Sequence, residues 1–262
     1  MEQYLRIRSL NELIDALYEE SWDSEIGRYR PRYAYRGLSD ASYPLETTLM
    51  RLGGAYEKLE RHLLRNFRKY AHRNVVERDS VWHWMTVAQH YGLPTRLMDW
   101  TYSPLVAMHF ATANLECYHL DAAIWVVNYV KVHRLLPEPL REGLEQEGAN
   151  VFTVEMLSEL AGSLGELRGL SGRTFALFFE PPSIDDRIVN QYAFFSTLSD
   201  PQSRMDRWLE DHPPLWRKII VPAELKWEVR DKIDQANITE RVLFPGLEGL
   251  SRWLKRQYSP KT

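Results

Sequence analysis

What this chain lacks narrows it first. It has one cysteine in 262 residues, Cys117, so no internal disulfide can form. A reducing compartment fits that usage. No apolar run approaches the roughly 20 residues that span a bilayer. The N-terminal MEQYLRIRSLNELIDALYEE carries charges throughout and lacks the apolar core of a secretory signal. These absences lead us to expect a soluble, cytoplasmic protein with no membrane partner. Neither sign of charge dominates: 33 Lys and Arg stand against 36 Asp and Glu, a formal net charge of −3. The chain as a whole therefore makes no electrostatic case for nucleic acid, although a local basic patch stays open. No G-x-G-x-x-G occurs, which removes the Rossmann route to a dinucleotide. His83 and His90 lie two helical turns apart without a further ligand, so no metal is expected. There is no internal repeat and no low-complexity tract.

What is present is an ordinary globular composition, 44% hydrophobic, with many aromatics: 9 Trp and 14 Tyr. Such rings serve either a heavy core or a stacking pocket. Residues 9–20 place Leu10, Leu13, Ile14 and Leu17 on one helical face. Residues 55–73 predict a long helix with an apolar stripe (Leu59, Leu63, Phe67, Tyr70) and a basic one (Arg61, Arg65, Arg68, His72). Lys69 and Arg73 add to the basic stripe, which could track a phosphate backbone or simply be a solvated face. Residues 80–91 predict a helix capped by Ser80, and Ser103-Pro104 opens an apolar, interior helix over 105–113. Strands are predicted over 33–36, 122–130, 174–180, 192–198, 216–221 and 238–244. Helices are predicted over 223–235 and 246–256, and 142–170 reads as an acidic, less regular insert. Helices early and strands late argue α+β in a single domain over 1–262, with 1–30 as an N-terminal helical extension.

Four constellations could carry chemistry. In Tyr35-Arg36-Gly37, an arginine at a strand end can fork onto a phosphate or carboxylate, and a glycine lets a ligand approach the backbone. Gln89-His90-Tyr91 leads through Arg96, Asp99 and Thr101 into the buried helix. There Thr101 could position a substrate hydroxyl or cap that helix, and Arg96 with Asp99 could form a bracing ion pair. Gln191 could bind an amide or ribose, and Phe194 or Phe195 could stack on a flat ring, only one of them facing a pocket. Glu240 is a carboxylate on an otherwise apolar predicted strand. Each has an ordinary structural role as its alternative.

Together these pieces resemble the FRG-domain family. The resemblance rests on Tyr35-Arg36-Gly37, on Gln89-His90-Tyr91-Gly92-Leu93-Pro94-Thr95-Arg96-Leu97-Met98-Asp99-Trp100-Thr101, on Gln191 with Phe194, and on Leu243-Phe244-Pro245-Gly246. Ala193 stands where that family usually has glycine, and Met98 where leucine is common. FRG domains are similar to ADP-ribosyltransferases, so the resemblance implies a split β-sandwich and NAD as substrate. It also implies transfer of ADP-ribose to a protein or nucleic-acid acceptor, as in a toxin or anti-phage effector with a neutralising antitoxin partner. The catalytic set it implies is Arg36, Thr101 and Glu240, meeting in one cleft. Tyr35, Arg36, Gly37, Gln89, His90, Tyr91, Gln191 and Phe194 would hold the NAD. A non-catalytic NAD, ADP-ribose or nucleotide-binding module, or an NAD glycohydrolase, is the alternative.

Overall fold

The computed structural model describes residues 3–30, 32–71 and 80–260. It opens with β1 (Tyr4–Arg6) and α1 (Leu10–Tyr18), the latter capped by Ser9, whose hydroxyl accepts from the Glu12 amide. A hairpin of β2 (Trp22–Asp23) and β3 (Arg28–Tyr29) follows. Where a helical extension over 1–30 was expected, the described residues 3–30 hold three short strands and one helix. β1 forms an edge of the main sheet, and Leu13 and Leu17 of α1 are fully buried.

Next come β4 (Tyr33–Leu38), α2 (Tyr56–Ala71), α3 (Val81–His90), β5 (Met98–Thr101) and α4 (Pro104–Ala111), of which β4, α3, α4 and the start of α2 are close to the predicted limits. Ser80 and Ser103 cap α3 and α4 by accepting from the His83 and Val106 amides. His72 and Arg73 of the expected basic stripe lie outside the described residues.

The second half runs β6 (Ala122–Asn128), α5 (Tyr129–His133), α6 (Glu138–Gln146), β7 (Phe152–Thr153), α7 (Val154–Leu160), α8 (Leu164–Gly169), β8 (Ala176–Glu180), α9 (Asp186–Asn190), β9 (Ala193–Leu198), α10 (Met205–Glu210), β10 (Trp216–Val221), α11 (Lys226–Gln235), α12 (Glu240–Leu243) and α13 (Leu247–Gln257). The acidic insert is thus mostly regular helix. The strand expected over 238–244 is instead the short helix α12. Its apolar run fits either period, and tertiary packing decides. Gly249 of α13 sits so close to α12 that an added Cβ would lie 1.9 Å from the Phe244 carbonyl oxygen and 2.6 Å from that of Glu240.

Eight strands make one sheet in the order β1-β10-β6-β4-β5-β9-β8-β7. It is antiparallel except at its edges, where β1 pairs parallel with β10 and β7 with β8. The α+β class read from the sequence holds.

The register sorts side chains to two faces. Ala34, Trp100, Val127, Phe178 and Phe194 share one face and one core cluster. The other face is covered in two pieces. Tyr35, Ile124, Val126 and Ile219 pack under α1, α4 and α11, while Leu177, Phe179 and Phe195 pack under α3, α7 and α8. Between the two helical covers lies β5, which turns Asp99 and Thr101 to that face.

Candidate functional site

The gap between the two covers is a cleft of about 640 Å³, counted out to its mouth. It is lined by Arg36, Asp99, Thr101, Phe110, Arg187 and Gln191, with Tyr35, Gly37, Trp100 and Ala193. Its floor comes from three adjacent strands. Tyr35 on β4 faces Thr101 on β5, and Thr101 faces Ala193 at the start of β9. The Tyr35–Thr101 pair is the whole of the β4–β5 ladder. Past it the strands part, and Arg36 Nη1 reaches the Asp99 carbonyl at 2.5 Å.

Arg36 is the unusual group here. As a residue it is half-buried, but its Nε is shut off from solvent and has no hydrogen-bond partner. Among the described residues no carboxylate forms an ion pair with it. Burial pulls its pKa below the usual arginine value, and the Asp99 charge only partly opposes that. A buried guanidinium held by one carbonyl leaves most of its donors for an anion.

Thr101 and Gln191 close the floor. The Thr101 hydroxyl donates to the Gln191 carbonyl at 2.7 Å and accepts from the Ser103 amide at 3.0 Å. It is spent on holding β5 to the turn before β9. Gln191 Nε2 donates to the Leu243 carbonyl at 2.9 Å, and its Oε1 has no hydrogen-bond partner among the described residues.

Gln89 and His90 brace the walls and do not line them. Gln89 Nε2 donates to Asp99 Oδ2 at 2.9 Å, while its Oε1 accepts from Thr95 Oγ1 at 2.6 Å. His90 Nε2 meets Asp185 Oδ2 at 2.5 Å. Asp185 in turn caps α9 through Oδ1, which accepts from the Arg187 and Ile188 amides. One dipeptide at the end of α3 thus fixes β5 on one side and the Arg187 segment on the other.

Residues 31–118 match the FRG domain. No curated protein and no solved structure matches the chain at a significant level. The FRG segment supplies Tyr35, Arg36, Gly37, Asp99, Thr101 and Phe110 to the cleft, together with the Gln89-His90 brace. Arg187, Gln191 and Ala193 come from beyond it.

Several expected contacts are placed differently by the packing around the FRG segment. The missing side chain of Gly37 makes room for α4, since a Cβ there would lie 1.9 Å from the Ala107 carbonyl oxygen. The Tyr35 hydroxyl donates to the Leu17 carbonyl in the core at 2.9 Å. Phe194 is fully buried and stacked at 3.9 Å on Tyr102, so it offers no face to a ligand. Phe195 is buried on the opposite side of the sheet. Tyr91 is 65% exposed, edge-on to His90 and outside the cleft lining. Arg96 does not pair with Asp99. Its buried guanidinium holds Glu60 of α2 in a two-pronged pair, Nε to Oε1 at 2.7 Å.

Glu240 lies outside the cleft. It lines a separate depression with His109, Arg252, Lys255 and Arg256, divided from the cleft by Phe110. Both its oxygens accept from Arg256, at 2.7 Å each. Burial would raise its pKa, but the Arg256 hydrogen bonds and charge win and hold it at about 2. The expected meeting of Arg36, Thr101 and Glu240 in one cleft is not what the structure has.

Sequence reasoning missed three cleft residues in their roles: Asp99, Phe110 and Arg187. Alternation along β5 could have found Asp99, two residues from Thr101 and on the same face. Nothing local marks Arg187, whose ring partner Phe244, 5.0 Å away, is far along the chain.

Proposed function

We propose that the cleft binds a phosphorylated nucleotide of the NAD or ADP-ribose class, gripped at its diphosphate by Arg36. The observation that carries this reading is the Arg36 guanidinium, its Nε shut off from solvent, with one carbonyl partner and, among the described residues, no carboxylate in an ion pair with it. A diphosphate offers the paired oxygens that a planar fork accepts. Arg187 adds a second positive charge at the cleft wall, Phe110 an aromatic wall, and Gln191 Oε1 an acceptor for a ribose hydroxyl. The nucleotide identity rests on the FRG resemblance. Calorimetry with ADP-ribose, NAD and nicotinamide riboside tests it. The two diphosphates should bind, the riboside far more weakly, and Arg36→Ala should cost at least tenfold. If neither diphosphate binds the parent protein, the reading is wrong.

NAD-dependent ADP-ribosyl transfer, or hydrolysis with water as acceptor, is favoured by one further observation. Asp99 places an exposed carboxylate in the same cleft, hydrogen-bonded among the described residues by Gln89 alone. In such a reaction the nicotinamide–ribose bond breaks and nicotinamide leaves with the bonding electrons. The acceptor then bonds to the ribose carbon and loses its proton. A fixed carboxylate stabilises the positive charge that develops on the ribose. Thr101, with its hydroxyl already bonded, shapes the floor. Nicotinamide release measured with and without acceptors checks this. Asp99→Asn should abolish release while ADP-ribose still binds, and full release by Asp99→Asn would remove Asp99 from the chemistry.

A further inference from the structure

Helix α13 is held to the body of the protein by one side. Gly249 lies against α12, and Arg256 is buried in its pairs with Glu240 and Asp234. The two residues are seven positions apart, close to two helical turns, so they share that side. The opposite side is apolar and bare. Leu247 is 82% exposed and Tyr258 84%, while Leu250 and Leu254 are each more than a third exposed. Tyr258 caps the helix, and its amide still donates to the Leu254 carbonyl at 3.2 Å, so it continues the same face.

Leu247, Ser251, Leu254 and Tyr258 follow at steps of four, three and four, the spacing of a coiled-coil seam. At 100° per residue Leu250 flanks this seam on one side, and Glu248 and Lys255 flank it on the other. Glu248 is paired only with exposed Arg252 of its own helix, and Lys255 forms no ion pair among the described residues.

We propose that this face is the contact of a two-fold dimer of the chain, with the two α13 helices antiparallel. The pattern is complementary to itself in that arrangement. A two-fold axis through the middle of the seam sets Leu247 of one copy against Tyr258 of the other, and Ser251 against Leu254. The charged flanks then meet each other, so Glu248 of each copy lies beside Lys255 of the other, and symmetry makes the contact twice. In a parallel pair the charged flank would face the Leu250 flank, and both charges would go unmet. A helix pair of this length buries on the order of 1,000 Å², the lower limit for a specific interface, so the dimer should be weak, with a Kd on the order of 10–100 µM. None of the residues lining the cleft belongs to α13.

Sedimentation equilibrium over a concentration series from low to high micromolar tests the proposal. The parent should pass from monomer to dimer within the series. Leu247→Glu/Leu254→Glu should stay monomeric throughout, with the circular dichroism spectrum of the parent. Glu248→Lys and Lys255→Glu each set like charges across the axis, and each should weaken self-association about tenfold. Mixed in equal amounts, those two variants should associate with one another. The doubly swapped Glu248→Lys/Lys255→Glu should regain the parent's association, although it lacks the Glu248–Arg252 pair just as Glu248→Lys does. The proposal is overturned if the parent stays monomeric to the top of the series, if Leu247→Glu/Leu254→Glu still dimerises, or if the double swap stays as weak as the single changes. The readout needs no nucleotide in the cleft, so its failure leaves the cleft reading untouched.

Discussion

Arg36 Nη1 donates to the backbone carbonyl of Asp99 at 2.5 Å, while the Asp99 carboxylate accepts from Gln89 instead. The two residues are tied together without forming an ion pair. The strand bearing Arg36 is thereby fixed to β5, and its positive charge is offset only in part by the Asp99 carboxylate nearby.

Arg36→Met should therefore leave the ligand-free protein as stable as the parent or slightly more so, because an enclosed unpaired charge is replaced by an apolar chain of similar length. The same change should weaken ADP-ribose binding by about 1.5–3 kcal/mol, the range for a hydrogen bond to a charged group. Urea denaturation and calorimetry on one preparation check both halves. A strongly destabilised Arg36→Met would show the residue to be a structural strut.

Glu240 gives the opposite pattern. Its folded pKa of about 2 lies below the ordinary 4.5, so its contribution is complete above about pH 4.5. It is lost as pH falls from there toward 2, and amounts to on the order of 3 kcal/mol. Glu240→Gln should lower the urea midpoint at neutral pH and flatten its decline in that acid window. Nucleotide binding in the cleft should be unchanged. An acid profile identical to that of the parent would mean that the Arg256 pair contributes little.

His90 and Asp185 join α3 to the segment that carries Arg187 and Gln191. Asp185 is partly exposed, so their coupling in a double-mutant cycle should stay below about 1 kcal/mol. The local effect should be larger. His90→Ala is expected to speed hydrogen exchange across residues 181–192 while leaving exchange in β6 and β10 as it was. Uniform acceleration through the chain would point to global loosening.

Gly37→Ala should destabilise by about 1–3 kcal/mol or more, since the added methyl meets α4 backbone that cannot move alone. Gly249→Ala should behave alike at the α12–α13 contact. Both are read as shifts in denaturant midpoint. A neutral Gly37→Ala would return that glycine to a ligand-approach role.

Local rules of the chain determined a good deal. Ser9, Ser80 and Ser103 mark helix starts because a hydroxyl before an apolar periodic run satisfies free amides. Those caps, with alternation and periodicity, placed β4, α3, α4 and the start of α2 close to their limits. Tertiary structure alone decided which partner each polar group takes. Arg96 was within three residues of Asp99 yet found Glu60, and Glu240 was claimed by Arg256. Gln89 and His90 turned outward to brace two walls, and Phe194 went to Tyr102. The physical reason is that charge and ring pairings are settled by whichever group the packed elements carry into reach. For residues separated by tens of positions, that is a property of the sheet order and the helix covers, which no local pattern encodes.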